Sequence, residues 1–199
     1  KKYLGTEVFT HQRHWIDLLE GRVPQDVHPS IIYEPGAPDL LIVNTPPEHA
    51  KSTTITVNYA GYRICQNPNI RIMIVSKTQA MAQKFLLSIK NRLTHPKYQD
   101  LHLAFGPAGG FEKNSDSWKQ DLIYLSADAR DSGEKDPTVQ AIGIRGHIYG
   151  SRADLIIMDD CVDHTNAHEY EKQIDWIQSE VMSRIDNDGG KLLVVGTRL

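Results

Sequence analysis

Two apolar segments, about a hundred residues apart, each run directly into polar side chains. Residues 40–53 are LLIVNTPPEHAKST, and residues 153–160 are ADLIIMDD. Each apolar run has the length of a buried strand. Such strands alternate with helical stretches along the chain, which predicts an α/β fold with a mostly parallel central sheet and helices on both faces. Ligands of these sheets bind beyond the carboxyl ends of the strands, so both polar endings are candidate site residues.

The pattern of apolar residues also predicts where the individual elements lie. Helices are expected over 8–20, 51–66, 78–93 and 167–185, with Thr10 as the candidate N-cap of the first. Strands are expected over 40–43, 70–75, 122–126, 155–158 and 192–195, with short extended pieces at 141–144 and 147–149. The segments 21–39 and 94–118 contain prolines and glycines and are expected to be irregular.

The length of 199 residues is sufficient for one domain with a full core. Residues 1–39 are predicted to form an N-terminal helix and loop that act as a lid, and residues 40–199 to form the core. Because the chain stops on a predicted strand, we expect it to be a domain of a longer protein. No apolar run approaches the roughly 20 residues of a membrane span. The two cysteines are isolated, which argues against a disulfide scaffold and fits a reducing interior.

Charge is unevenly distributed along the chain. Between His49 and Gln99 there are eight basic residues and no Asp or Glu. Such a stretch is typical of a surface that faces a polyanion, and equally of a solvated basic face without a partner.

The turn after the first strand is a candidate phosphate loop. The usual pattern, G-x-x-x-x-G-K-[ST], follows a strand and opens a helix. Here Thr45 and Ala50 stand at the two glycine positions, ahead of Lys51 and Ser52. N–H groups at a helix N-terminus bind phosphate, and those that remain after the two prolines belong to His49, Ala50, Lys51, Ser52 and Thr53. Lys51 would then reach the β- and γ-phosphates and Ser52 would ligate Mg²⁺. The alternative is a proline-rich turn that carries a surface lysine.

The acidic pair after the second segment predicts a metal site and a general base. Asp159 would hold Mg²⁺, directly or through water, and Asp160 would polarise the attacking water. Many ATPases have Glu in the second place, and Asp is one methylene shorter. The alternative is a strand that ends in solvated carboxylates.

Six further residues are candidates for the same site. Arg145 and, after it, Arg152 lie on a Gly-rich stretch that could deliver an arginine finger to a neighbouring subunit, or could anchor the loop. Gly196, Thr197 and Arg198 follow the last predicted strand, where Thr197 would sense the γ-phosphate unless the segment is a plain turn. Gln12 has an amide that could bind the edge of adenine, or could face solvent.

These residues together resemble the ATPase domain of the terminase large subunit of tailed bacteriophages. The resemblance rests on HQRHW, TPPEHAKST, IMIVSKTQAMAQKFL, GIRGHIYGSRADLIIMDD and GGKLLVVGTR. It implies a RecA-like (ASCE-type) P-loop NTPase that binds ATP and Mg²⁺, with Pro47 and Glu48 among the nucleotide-binding loop residues. Three residues depart from the family pattern: Ala50 replaces a glycine, Glu48 stands where a basic residue is common, and Asp160 replaces Glu.

The resemblance further implies a biological role. Such a protein moves double-stranded DNA into a procapsid in the host cytoplasm, as a ring of subunits, expected to be a pentamer. The ring docks on a portal protein and works with a terminase small subunit, and a nuclease domain follows the ATPase domain. Two other functions remain open on the sequence: a helicase-type motor domain and a non-catalytic nucleotide-binding module with a degenerate loop.

Overall fold

The computed structural model describes residues 2–30, 32, 39–131, 133–148 and 150–197. The strands within these ranges are β1 (Leu40–Thr45), β2 (Ile72–Ser76), β3 (Leu122–Ile123), β4 (Val139–Gly143), β5 (Leu155–Asp159) and β6 (Lys191–Thr197). The α-helices are α1 (Thr10–Leu19), α2 (Ala60–Gln66), α3 (Gln79–Thr94), α4 (Gln99–Phe105) and α5 (Tyr170–Trp176). Two π-helices span Thr53–Tyr59 and Ile177–Val181, and 3-10 helices span Pro96–Tyr98, Ala167–Glu169 and Met182–Arg184.

The strands form a single sheet in the order β1-β6-β5-β2-β4-β3. All neighbours are parallel except β3, which pairs with β4 in the antiparallel direction. The predicted mostly parallel sheet is therefore confirmed. Because β6 lies between β1 and β5, the carboxyl ends of these three strands are adjacent at one edge of the sheet.

Helices cover both faces of the sheet, as predicted. On one face, the helical segment 51–66 and α3 contribute fully buried side chains, among them Ile55 and Leu86, to the larger hydrophobic core. On the other face, Val181 of the second π-helix belongs to a smaller core together with Met158 of β5. Because helices cover both faces, the carboxyl ends of the strands are the part of the sheet where a ligand is expected to bind.

Strand β1 is an edge strand, and it is more exposed than its apolar sequence predicts. Val43 is buried, but Leu40 and Ile42 are 47% and 65% exposed. Side chains alternate between the two faces of a strand, so one face of β1 packs on the core and the other does not. The expectation of a fully buried strand at 40–43 was wrong: among the described residues, β1 pairs with β6 alone, and an edge strand is less covered than a central one.

Several predicted helix boundaries also differ. Phe9, not Thr10, precedes the first helical residue of α1, and the Phe9 N–H donates to Gln12 Oε1 at 3.2 Å. The segment 94–118 was expected to be irregular but contains α4 and a 3-10 turn. No strand forms at 147–148, and residue 149 lies outside the described residues. In the described part of the chain, no helix combines the length and apolar character that a bilayer span requires.

The predicted helix 167–185 is divided into four short pieces of 3-10, α and π type. Its sequence has no proline or glycine that would mark the breaks in advance.

Glycine at position 143 allows α3 to begin directly beside the end of β4. A Cβ atom at Gly143 would lie 2.6 Å from the Gln79 backbone nitrogen, which is too close for any other residue. The Gln79 side chain fills this junction, since its Oε1 accepts the Gly143 N–H at 2.9 Å and its Nε2 donates to the Ala141 carbonyl at 2.7 Å.

An arginine connects the segments that precede three strands, at the amino-terminal ends of the strands. Arg71 precedes β2 and forms a two-pronged ion pair with Asp154, which precedes β5. The same guanidinium lies 2.6 Å from the carboxylate of Asp186, which precedes β6. These bonds raise the pKa of Arg71 above its usual range, with the Asp154 hydrogen bond as the largest cause.

Candidate nucleotide-binding site

The loop after β1 has the backbone conformation that glycine normally provides. Ala50 has φ 53° and Glu48 has φ 66°, both in the left-handed region. For a residue with a Cβ atom, this conformation costs roughly 1–2 kcal/mol. The loop therefore keeps the left-handed position of a glycine at residue 50 while carrying alanine there. Thr45, at the other glycine position, is the last residue of β1 and shows no such strain.

Hydrogen bonds support this loop from both sides. The His49 ring nitrogen Nδ1 lies 2.9 Å from the Pro47 carbonyl oxygen, and the His49 carbonyl accepts a bond from Gln12 Nε2 at 3.4 Å. Directly after the loop, the Thr54 N–H donates to the Ala50 carbonyl at 2.9 Å, which starts the helical segment 51–66. The loop thus ends at a helix N-terminus, the place where N–H groups bind anions.

Lys51, Asp160 and Thr197 form a hydrogen-bonded triangle. The buried Lys51 ammonium lies 3.2 Å from Asp160 Oδ2 and 2.5 Å from Thr197 Oγ1. The Thr197 hydroxyl donates in turn to Asp160 Oδ1 at 2.9 Å. The three residues follow or end β1, β5 and β6, so the strand order brings them together across 109 and 146 residues of sequence.

Asp159 is fully buried and is held by hydroxyl groups. Ser52 donates to its Oδ1 at 3.0 Å, Thr56 donates to its Oδ2, and Ser76 donates to its backbone carbonyl at 2.8 Å. Burial raises the pKa of Asp159 to about 6, and the Thr56 and Ser52 hydrogen bonds oppose that rise. This carboxylate therefore lies in a buried, polar niche beside the candidate phosphate loop.

The two adjacent carboxylates have different environments. Consecutive residues of a strand point to opposite faces, but Asp160 has φ 45° and leaves the strand there. Its N–H still donates to the Val195 carbonyl at 2.9 Å. As a result, Asp159 contacts Ser52 while Asp160 contacts Lys51, and the Asp160 side chain stays 35% exposed.

The donor set fits Mg²⁺. The Ser52 hydroxyl and the Asp159 carboxylate offer oxygen ligands side by side. Within the described residues, no group of three or more His, Cys, Asp and Glu side chains converges as a metal site, here or elsewhere, so a metal at this place would take the rest of its ligands from outside the chain. Magnesium typically takes one or two carboxylates and completes its shell with phosphate oxygens and water. Ser52 and Asp159 are therefore the residues that would hold it.

A largely apolar cavity of about 600 Å³ opens beside the candidate phosphate loop. Its walls come from the N-terminal segment and from the helical segment 51–66: Tyr3, Leu4, Thr6, Glu7, Val8, Phe9, Gln12, Ile16, Ala50, Thr53, Thr54, Asn58, Tyr59 and Tyr62. The volume and the aromatic lining suit a flat heterocyclic ring. Gln12 lies in this wall and is 4% exposed, but its amide is bonded to the Phe9 N–H and to the His49 carbonyl.

The two candidate arginines lie at opposite edges of the sheet. Arg145 follows β4 at the carboxyl edge, has φ 62°, and pairs with Glu169 at 3.1 Å. Arg152 precedes β5 at the amino edge, and its N–H donates to Asp136 Oδ2 at 3.1 Å. Arg145 is thus on the same edge as Lys51, whereas Arg152 is not. Arg198 lies outside the described residues.

The basic stretch is largely engaged within the fold. Arg63 lies 3.8 Å from Glu20, Lys77 lies 2.6 Å from Asp163, and Arg92 donates to Asn58 Oδ1 at 3.2 Å. Arg71 belongs to the network described above. A polyanion would have to compete with these internal partners, and a DNA-facing role for the stretch stays a prediction.

Two residues of the site are not among those that the sequence predicts for it. Thr56 lies four positions after Ser52 on the predicted helix, and this spacing puts both on one helix face. Ser76 is the first polar residue after the apolar run of β2, which is the same signal that identified Asp159. A polar residue four positions along a helix, or at the end of an apolar strand, is common in proteins. Neither pattern was therefore specific enough to predict Thr56 or Ser76 as a site residue.

Comparison with known proteins supports the fold. No protein-family model and no curated protein matches the chain. Among solved structures, the chain is similar to the crystal structure of the HK97 bacteriophage large terminase, with a TM-score of 0.55 and 13% sequence identity. The match covers 96% of this chain and 33% of that one, so the chain spans about a third of that terminase. At this identity the likeness concerns the fold, which is terminase-like.

Proposed function

We propose that the chain is the ATP-hydrolysing domain of a phage terminase large subunit, with a RecA-like (ASCE-type) P-loop fold. The observation that carries the proposal is the meeting of Lys51, Ser52, Asp159, Asp160 and Thr197 where β1, β5 and β6 end. A lysine and a hydroxyl at a helix N-terminus, faced by two carboxylates, are the groups that phosphoanhydride hydrolysis uses. The terminase-like fold supports the same reading.

In this proposal each residue of the site has one task. The base of ATP enters the apolar cavity, and the phosphates lie over the N–H groups of 49–53. The Lys51 ammonium moves from Asp160 to the β- and γ-phosphates. Mg²⁺, when bound between Ser52 and Asp159, neutralises charge on the phosphates.

Asp160 is then the general base. Once Lys51 turns to the phosphates, the Asp160 carboxylate keeps its bond from Thr197 and accepts a proton from the attacking water. Its partial exposure and its distance of 3.2 Å from the lysine fit a group that must change partners during turnover. Gly196 and Thr197 are the last residues of β6, and the Thr197 hydroxyl donates to Asp160. We therefore assign to this segment, together with Arg198, the role of coupling the state of the base to β6.

Arg145 is the preferred arginine finger in this scheme, acting on the site of a neighbouring subunit. It is at the correct edge of the sheet, and it must release Glu169 before it can reach a neighbour. Arg152 is the second choice, because its place at the amino edge requires a different subunit arrangement.

The partners follow from the same proposal. They are double-stranded DNA, a portal protein, a terminase small subunit and further copies of this chain in a ring, expected to be a pentamer. The place of action is the host cytoplasm. A nuclease domain in the same protein stays a prediction.

Binding of a fluorescent ATP analogue tests the proposed site directly. Wild-type chain should bind the analogue with Mg²⁺, and Lys51→Ala should weaken binding at least tenfold. Lys77→Ala, which removes another ion-paired lysine at the same edge, is the matched control and should bind normally. Equal binding by wild type and Lys51→Ala would contradict the assignment.

Hydrolysis needs a separate experiment, because a finger supplied by a neighbour makes an isolated subunit slow. Arg145→Ala and Asp160→Asn subunits are mixed, so that some interfaces carry one intact base and one intact arginine. ATP hydrolysis by the mixture should exceed that of either variant alone. Nucleotide binding without hydrolysis at any ratio, in mixtures or in wild type, would favour the non-catalytic module.

A further inference from the structure

Thr56 lies in the innermost wall of the site. It is fully buried, and its hydroxyl donates to Asp159 Oδ2. Ser52, one turn earlier on the same helical segment, donates to the other carboxylate oxygen, Oδ1, at 3.0 Å. Each oxygen of Asp159 therefore has its own hydroxyl partner, and both partners come from a single element.

The helix around Thr56 is unusual. Thr56 lies in the π-helix Thr53–Tyr59, and π-helical turns are rare and frequent at functional sites. Its neighbours Ile55 and Val57 are buried in the main core, so the backbone at Thr56 cannot shift freely. The hydroxyl is thereby held in one position, aimed at the carboxylate.

Thr56 and Ser52 differ in what they can offer an incoming cation. Ser52 is half-buried at the start of the helix, next to the phosphate loop, and its oxygen is available as a ligand. The Thr56 hydroxyl is enclosed and faces the oxygen of Asp159 that lies away from Ser52. With a metal bound by Ser52 and Asp159 Oδ1, the bond from Thr56 is the one that continues to orient the carboxylate.

We infer that Thr56 is the positioning residue for the divalent metal. It fixes the rotation of the Asp159 carboxylate so that Oδ1 stays directed at the place where Ser52 and the phosphates meet. Ser76 fixes the backbone of the same residue through its bond to the Asp159 carbonyl. This inference rests on the proposed nucleotide site and adds a residue to its metal-binding function. Partners that orient a metal ligand typically contribute about 10- to 100-fold to metal affinity.

The test separates metal binding from nucleotide binding in the full chain. A fluorescent, non-hydrolysable ATP analogue is titrated in EDTA and again at increasing Mg²⁺. Thr56→Val keeps the shape of the side chain but removes the hydroxyl, and should raise the half-saturating Mg²⁺ concentration about tenfold or more. Its affinity for the analogue in EDTA should stay within about twofold of wild type, since Thr56 does not reach the phosphates. Thr56→Ser restores the hydroxyl and should restore most of the Mg²⁺ affinity.

Thr138→Val is the matched control. Thr138 is equally buried, and its hydroxyl accepts the Leu125 N–H at 3.2 Å at the start of β4, away from the site. Both valine variants lose a buried hydrogen bond, but only Thr56→Val should change the Mg²⁺ requirement. If Thr56→Val folds poorly, Thr56→Ala and Thr56→Ser are compared instead, because they differ only in the hydroxyl oxygen.

Three outcomes would overturn the inference. A Mg²⁺ requirement that is equal in wild type and Thr56→Val would reduce Thr56 to a packing residue. An equal loss of analogue affinity with and without Mg²⁺ would indicate a general structural role. Binding by wild type that depends neither on Mg²⁺ nor on Asp159, tested with Asp159→Asn, would refute the proposed function itself, and the inference with it.

Discussion

The ammonium of Lys51 and the carboxylate of Asp160 form an ion pair of 3.2 Å inside the candidate site. A phosphate group that binds Lys51 must compete with this carboxylate for the same donor. The pair therefore links nucleotide affinity to the state of the proposed general base.

Asp160→Asn is expected to bind ATP more tightly than wild type and to hydrolyse it more slowly. Loss of a partly exposed ion pair is worth about 1 kcal/mol, which corresponds to about fivefold in affinity. Loss of a general base should slow hydrolysis by about 100-fold or more. Asp163→Asn, which breaks the Lys77 pair at the same edge, should change neither quantity. Weaker ATP binding by Asp160→Asn would contradict the competition between phosphate and carboxylate.

Ala50→Gly should be neutral or should raise the free energy of unfolding by up to about 1 kcal/mol. Relief of the left-handed strain at φ 53° outweighs the extra freedom that glycine gains in the unfolded chain. The same substitution at Ala60, which is helical and fully buried, should destabilise by about 1 kcal/mol. Urea unfolding of both variants measures the contrast, and a loss of similar size at both positions would be evidence against strain at Ala50.

Asp159→Asn should stabilise the metal-free protein, and increasingly so as the pH rises. The folded-state pKa of Asp159 is about 6, against 3.8 for the ordinary carboxyl group. Between these values the folded state holds the proton more tightly than the unfolded state, so wild-type stability falls with rising pH. The advantage of the variant should grow from near zero at about pH 4 to roughly 2–3 kcal/mol above about pH 6.

Urea unfolding in EDTA at several pH values checks this dependence. Asp163→Asn is a control in which the pH dependence of the free energy of unfolding should have the opposite sign. The Lys77 hydrogen bond holds the pKa of Asp163 below its usual range. A carboxylate with a depressed pKa adds stability that is present above its unfolded pKa and is lost as the pH falls. Asp163→Asn should therefore lose stability at neutral pH and little in acid. A pH-independent effect of Asp159→Asn would be inconsistent with burial as the cause of its raised pKa.

Arg71→Met should destabilise the fold by about 2–3 kcal/mol without reaching the nucleotide site. The substitution leaves the carboxylates of Asp154 and Asp186 together without their shared cation. Arg22→Met removes the exposed pair with Asp17 and should cost less than about 1 kcal/mol. Thermal unfolding gives the comparison, and analogue binding by folded Arg71→Met should match wild type.

The sequence predicted the sheet and the main polar groups of the site because both leave local signals. Apolar runs mark β2 and β5, and the polar residues predicted for the site, in the turn after β1 and at the end of β5, are the groups that the structure brings together. The exposure of Ile42 was not predictable in this way, since it depends on the place of β1 in the sheet. Among the described residues β1 pairs with 191–197 alone, and no local pattern gives the strand order.

Other differences between the sequence-based predictions and the structure also have physical causes. Thr56 escaped notice because a buried threonine on a helix is ordinary until its acceptor is known. The division of 167–185 into short helical pieces was not predictable, because the segment contains no glycine or proline. The left-handed backbone at Ala50 runs against the preference of alanine, so tertiary structure must impose it.

The place of β6 in the sheet has a consequence for the order of folding. In the described part of the chain, β1 pairs only with β6, which is about 150 residues later in the sequence and is synthesised after the other five strands. Closing this long-range contact is the slow, entropically costly part of assembling such a sheet. Because β6 is the strand that connects β1 to β5, we expect the candidate phosphate loop to have no fixed position relative to Asp159 and Asp160 until residues 191–197 are in place. For the proposed nucleotide site, we therefore expect that binding requires β6 in place, and that a nascent or truncated chain that ends before β6 does not bind ATP.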